Sequence, residues 1–338
     1  VINIREGVYR EQVGIISNGV TFQGYNNEKV TVNGTEKLST WTLESGSTYK
    51  TTDMNWDCLP TDGGNQLFAD QVMLNLTRWP DQTSTNIVIP TDGIADVVTY
   101  SGTNIIITCN AFNEPDGRWL GAQIWLNLAG NGHDGQGWTG TVTATNAAAH
   151  TITVDFREVP RATGPWAFEK GSEFNLFNPL PAAVAATGGV EALLSAGEWW
   201  KDGNNLYVKM PNQLVPGDAN ATTNIVEAKK RQFAFISNNS TQNRSFLTIH
   251  NLDIFASTIT TDVLFNTRNN EIIEDASNIL LENINAKYVS HFTDQAGNWQ
   301  AQWCGRSGII LSGRNNIMRN CNIQYSAGPG VCVIGYGN

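Results

Sequence analysis

The chain has 338 residues, a formal net charge of −10 and only 21 Lys+Arg, which argues against a nucleic-acid partner, because phosphate binding needs a basic face. Charged residues make up 15% of the chain, well below the usual quarter. Asn, Thr, Gly and Ser replace them, and no apolar run reaches the length of a membrane-spanning helix.

In chain order, residues 1–57 read as short strands at 1–4, 13–16, 20–23, 29–32 and 41–43, each a brief apolar run bounded by turn residues. The dipeptides Asn33-Gly34, Asp62-Gly63, Asp92-Gly93, Asp116-Gly117 and Asp202-Gly203 punctuate the sequence as turns. Val1-Ile2-Asn3-Ile4 opens inside a strand and Gly337-Asn338 follows another, so both ends read as cuts through a longer chain.

Residues 58–227 have a different rhythm, with longer strands expected at 86–90, 97–100, 105–108, 123–128, 140–145 and 151–156. The alternation in Val142-Thr-Ala-Thr145 and His150-Thr-Ile-Thr-Val154 predicts a hairpin. A small antiparallel barrel or sandwich is expected there, with a short helix within 179–195. Most of the tryptophans of this region (Trp79, Trp119, Trp125, Trp138, Trp166, Trp199 and Trp200) are read as its core. His133-Asp134 is read as a flexible hairpin tip.

From 228 to 338 a repeat appears. Asn251-Leu-Asp-Ile254, Asn283-Ile-Asn-Ala286 and Asn320-Cys-Asn-Ile323 share the pattern Asn, apolar, Asx, apolar. A second series, Gly308-Ile-Ile-Leu311 and Gly330-Val-Cys-Val333, runs between them. Such units suit a β-solenoid, in which no round of chain buries its inward side chains alone and stacking closes the core. Asn at equivalent corners tolerates left-handed backbone angles and bonds along the stack. The expected fold is therefore all-β: a right-handed parallel β-helix interrupted by an antiparallel β-barrel or sandwich. The five cysteines show no CxxC pair, which indicates neither a disulfide framework nor a zinc site, and Cys321 and Cys332 are expected as small buried apolar groups.

Three segments carry a resemblance. Glu6-Gly7-Val8-Tyr9-Arg10-Glu11-Gln12-Val13 resembles the entry coil of pectate-lyase-like β-helix proteins. Gln66-Leu-Phe-Ala-Asp70 with Thr77-Arg-Trp-Pro80, and Gly197-Glu-Trp-Trp-Lys-Asp-Gly203, resemble segments of bacterial β-helix glycoside hydrolases of the xylosidase and α-galactosidase type, where a barrel is inserted in the helix. The resemblance implies an architecture and a carbohydrate-active role. It carries no catalytic motif onto any residue here.

The candidate site read from the residues is the stretch after Asn283-Ile-Asn-Ala-Lys-Tyr-Val289. There His291, Asp294, Trp299, Trp303 and Arg306 fall close together, preceded by Tyr288. Tryptophan faces stack on the C–H surface of sugars, and Asp, Gln and Arg bind hydroxyl or acidic groups. Hydrolysis needs two carboxylates across the glycosidic bond, and Asp294 with Glu271, Glu274, Asp275 or Glu282 supplies candidates. Of these, Asp294, His291 and Glu271 are the expected catalytic residues, and Tyr288, Trp299, Trp303 and Arg306 the expected substrate contacts. A lyase would instead use a base such as Lys287, Tyr288, His291, Arg306 or Arg314. No metal site is expected; calcium, common at lyase sites, finds no EF-hand-like Asp cluster. The expected partner is an extracellular polysaccharide or oligosaccharide, and the expected location is secreted. The rival expectation is a non-catalytic adhesin, sheath or self-associating filament subunit.

Overall fold

A computed structural model describes all residues except 59–64, 82–92, 128–136, 157–161, 164–166, 238–243, 262–275, 291–307, 327–328 and 337–338. Among the described residues the protein is nearly all β. Its α-helix is confined to Pro181–Ala186 and Val190–Leu193, within the stretch where a short helix is expected.

The sheets are of two kinds. In the first, every pairing is parallel. The strands Ile2–Ile4, Thr21–Gly24, Thr248–Phe255, Leu280–Lys287 and Ile317–Arg319 stack in that order. The second halves of the two long strands continue a neighbouring stack with Gly7–Tyr9, Val30–Asn33 and Asn322–Gln324. A third set pairs Val13–Ile15, Phe233–Ser237 and Thr258–Ile259, and another pairs Ile309–Arg314 with Val331–Tyr336. The Thr260–Ile310 bridge joins these two.

Bends between stacks recur at equivalent places. Phe246, Asn278 and Asn315 share one left-handed corner, with φ of 59°, 59° and 56°. Asn251, Asn283 and Asn320 share a second, with φ of 58°, 54° and 52°. Ala256, Tyr288 and Tyr325 share a third, with φ of 52°, 57° and 57°. Asparagine adopts this region at least cost among residues with a Cβ, which is why it recurs at two of the corners. Between corners the side chains alternate: Phe22, Ile249 and Leu281 point inward as one row, and Val32, Ile254 and Ala286 as another. These rows form one apolar core with Leu247, Ala276, Ile279 and Val289 beside the strands.

The second kind of sheet lies between Gly34 and Lys230 in sequence. One sheet runs in the order Thr35–Leu38, Val226–Lys229, Leu67–Ala69, Val72–Leu76, Glu198–Asp202, Asn205–Lys209, Thr48–Thr51 and Thr42–Ser45. It is mixed, because Asn75 and Leu76 pair in parallel with Glu198 and Trp199. The other is a seven-stranded antiparallel sheet that curls around a core of Ile105, Ile124, Leu126, Val154, Phe174 and Leu176. Its strands Gly137–Asn146 and Thr151–Phe156 form the expected hairpin, with a bulge between Val142 and Ala144. Trp79, Trp119, Trp199 and Trp200 are buried, Trp125 and Trp138 are half-buried, and Trp166 lies outside the described residues. The strand at Thr42–Ser45 belongs to the mixed sheet and not to the parallel stacks, because its partner is Thr48–Thr51. His133 and Asp134 lie outside the described residues.

Gly34 is the seam between the two kinds of sheet. Its carbonyl accepts the N–H of both Lys230 and Arg231, at 2.8 and 2.9 Å. A Cβ there would sit 2.5 Å from the Ala256 carbonyl oxygen, so glycine is required by close approach. Ion pairs flank the seam: Arg10 binds Glu227, and Arg231 binds Glu36. Phe68 of the mixed sheet packs against Phe255 and Tyr288 of the parallel strands, with ring centroids 4.9 and 5.0 Å apart.

Cys58 and Cys109 are buried, whereas Cys321 and Cys332 are only half-buried. The latter two fall short of the expected burial because they lie at the last described parallel strands, Asn322–Gln324 and Val331–Tyr336, which pair on one side only among the described residues. Cys304 lies outside the described residues.

Candidate functional site

Inward burial of alternate residues forces the intervening side chains of the parallel strands outward. Asn3, Gln23, His250, Glu282 and Arg319 are consecutive partners and form one polar row. Gln23 Nε2 donates to Asn3 Oδ1 at 2.6 Å, and Gln23 Oε1 lies 2.6 Å from His250 Nε2. In this arrangement His250 carries a proton on Nε2, because the Gln23 oxygen can only accept. Arg319 Nε donates to Glu282 Oε1 at 2.7 Å.

Beyond the asparagine corner a second outward row holds Thr31, Asp253, Asn285 and Asn322. Asn283 Nδ2 donates to Asn251 Oδ1 at 2.9 Å, and Asn285 Nδ2 donates to Asp253 Oδ1 at 3.1 Å. Asn251, Asn283 and Asn285, with the Asp253 carboxylate, line one side of a groove of about 280 Å³, and Asn27, Glu28 and Lys29 line the other. Arg5 Nε donates to both Glu28 oxygens at 3.1 and 2.9 Å, and the Glu6 N–H adds a bond at 2.7 Å. The Arg5 hydrogen bond holds the Glu28 carboxyl below its ordinary value and raises the guanidinium.

Amide groups present donors and acceptors side by side, which is the pattern that sugar hydroxyls require. Of the groove's acid groups, Glu28 is committed to Arg5, while Asp253 accepts from the Asn285 amide.

Most of the expected site residues lie outside the described residues: Glu271, His291, Asp294, Trp299, Trp303 and Arg306, with Glu274 and Asp275. The ends of their segments are fixed. Ser290 and Gly308 are buried, and Gly308 N donates to Pro329 O at 2.8 Å. Thr261 Oγ1 bonds the Ile310 carbonyl at 2.9 Å. Tyr288 is 7% exposed, enclosed by Phe68, Phe255 and Tyr325. Burial pushes its phenol up. The exposed aromatic of that corner is Tyr325, 64% accessible and stacked on Tyr288 at 5.0 Å. Among the described residues no group of His, Cys, Asp and Glu is arranged to hold a metal ion.

The groove was hidden in sequence because Asn251 and Asn283 read as structural corners. The same positions serve as corner and wall. A second cluster also went unread. Thr77-Arg-Trp-Pro80 and Gly197-Glu-Trp-Trp lie side by side, with Thr77 N donating to Trp199 O at 2.8 Å. This brings the buried Arg78 and Glu198 together with Asp81. Burial is the largest influence on Glu198 and pushes its carboxyl up to about 8.

No family profile and no curated sequence matches the chain. Among solved structures, one described as "Glycoside hydrolase" is similar with a TM-score of 0.61 at 13% identity, over 98% of this chain and 59% of that one. Another, described as "The complex structure of XylC with xylose", aligns over 98% of this chain and 51% of that one, at 12% identity and a TM-score of 0.34. The chain thus spans little more than half the length of either. The first of these likenesses establishes a shared fold.

Proposed function

We propose that this chain is a secreted carbohydrate-active protein of the glycoside hydrolase type, built as a right-handed parallel β-helix with an inserted β domain. In this reading the stacked strands are successive coils. The insert occupies the span between Gly34 and Lys230, wider than the 58–227 read from sequence. The right hand follows from the strong bias of parallel crossovers. Three equivalent left-handed corners, repeated from round to round, support the coil reading.

The observation that carries the functional reading is the groove beside the asparagine corner, with Asn251, Asp253, Asn283 and Asn285 aligned by strand register. A glycan lying there would meet amide donors and acceptors at the inter-strand spacing, about 4.8 Å. Hydrolysis would draw its carboxylates from the segments holding Glu271 and Asp294, spaced about 5–5.5 Å for retention or 6.5–9.5 Å for inversion.

A second reading is favoured by one observation. Glu28 is held by Arg5, which leaves Asp253, among the described residues, as the one groove carboxylate outside an ion pair, and a single carboxylate is not a proton-transfer pair. On that reading the chain is a non-catalytic surface protein that binds glycan on a rigid scaffold.

Binding of neutral oligosaccharides, compared between the parent and Asp253→Ala, tests the groove. Undiminished affinity in a folded variant removes the glycan from it. Released reducing ends without an unsaturated product support hydrolysis. Unsaturated product indicates a lyase, and binding without turnover favours the scaffold reading.

A further inference from the structure

Lys229 and Gln66 face one another across antiparallel strands. Ala228 pairs with Leu67, and Lys229 N donates to Gln66 O at 2.9 Å. Their side chains also meet, with Lys229 Nζ donating to Gln66 Oε1 at 3.1 Å. Both residues are almost fully enclosed, at 3% and 2% exposure. Gln66 Nε2 is turned to the Met73 sulfur at 3.5 Å, which fixes the amide with its oxygen toward the lysine.

A buried ammonium normally has a carboxylate beside it. The acid on the same strand, Glu227, is bound by Arg10. Among the described residues the titratable group that acts on Lys229 is Cys58, a buried thiol whose backbone N–H bonds the side chain of Asn65, next to Gln66. Without a countercharge, burial drives the lysine toward its neutral, nucleophilic amine and keeps the thiol protonated. A neutral amine fixed against a carboxamide and shielded from water has the proximity advantage of an intramolecular reaction.

We propose that Lys229 and Gln66 join as an intramolecular Nε-(γ-glutamyl)lysine cross-link with release of ammonia. The Nζ lone pair forms a bond to Gln66 Cδ, and the Cδ–Nε2 bond breaks. Nε2 departs with the bonding pair and takes up the proton that Nζ gives up, so nothing is oxidised or reduced. The bond would staple Leu67–Ala69 to Val226–Lys229 one residue before the seam at Gly34. It would hold the returning strand against pulling forces.

Intact mass and peptide mapping of the purified, folded chain test this. The expected mass is lower than the sequence mass by one ammonia, and digestion should yield a branched peptide joining residues 66 and 229 that survives reduction. Separate linear peptides with Lys229 and Gln66 unmodified overturn the proposal, as does an ammonia loss that maps to an Asn-Gly site. Lys229→Met should restore the full mass. Should that variant fail to fold, the parent's peptide map still decides.

Discussion

Glu198 Oε2 accepts the backbone N–H of Ser195 at 3.0 Å, while the hydroxyl of the same serine donates to Asp81 at 2.5 Å. One serine thus bridges two carboxylates in opposite settings, Glu198 buried and Asp81 exposed. Burial raises Glu198 to about 8 from an ordinary 4.5, against the weaker pull of Arg78. Burial also draws the Arg78 guanidinium below its ordinary value.

A pH dependence follows. Between the two values the folded state keeps a proton that the unfolded chain gives up, so this group's contribution to stability falls as pH rises from 4.5 to about 8. The slope should approach, but not exceed, about 1.4 kcal/mol per pH unit. Urea midpoints measured across that window should decline, and Glu198→Gln should flatten the decline. An unchanged slope in the variant would assign the effect to another group.

Phe68 is fully buried between Phe255 and Tyr288, where the mixed sheet meets the parallel strands. Phe68→Ala should cost about 3–5 kcal/mol, the usual range for emptying an aromatic site. The loss should also loosen the two kinds of sheet from each other. Calorimetry should show one transition broadening or splitting into two.

At the corner, Asn283→Ala loses the bond to Asn251 and places a Cβ-bearing side chain without local hydrogen bonding at φ 54°. The expected destabilisation is about 1–3 kcal/mol. Asn283→Gly removes the bond and relieves the backbone, so it should cost less than alanine. Denaturant midpoints that rank alanine above glycine would contradict the strain argument.

Legibility from sequence followed the range of the interactions. The three Asn-apolar-Asx-apolar blocks were readable because each residue answers to its own backbone angle and pleat, at Asn251, Asn283 and Asn320. The Val142 to Val154 hairpin was readable for the same reason. What pairs residues far apart in the chain left no local trace. Arg78 with Glu198, Arg10 with Glu227 and Arg5 with Glu28 are set by tertiary register alone. The groove went unread because an asparagine chosen for a corner and one chosen for a ligand look alike in a string of letters.

The seam at Gly34 has a consequence for how such a chain can change over time. Because Lys230 and Arg231 both return to the carbonyl of Gly34, everything in between enters and leaves through a gap no wider than a tight turn. To the stacked strands, a long excursion and a brief bend close at the same place. Whole modules could therefore be exchanged at this doorway while the rows of Phe22, Ile249 and Leu281 keep their register.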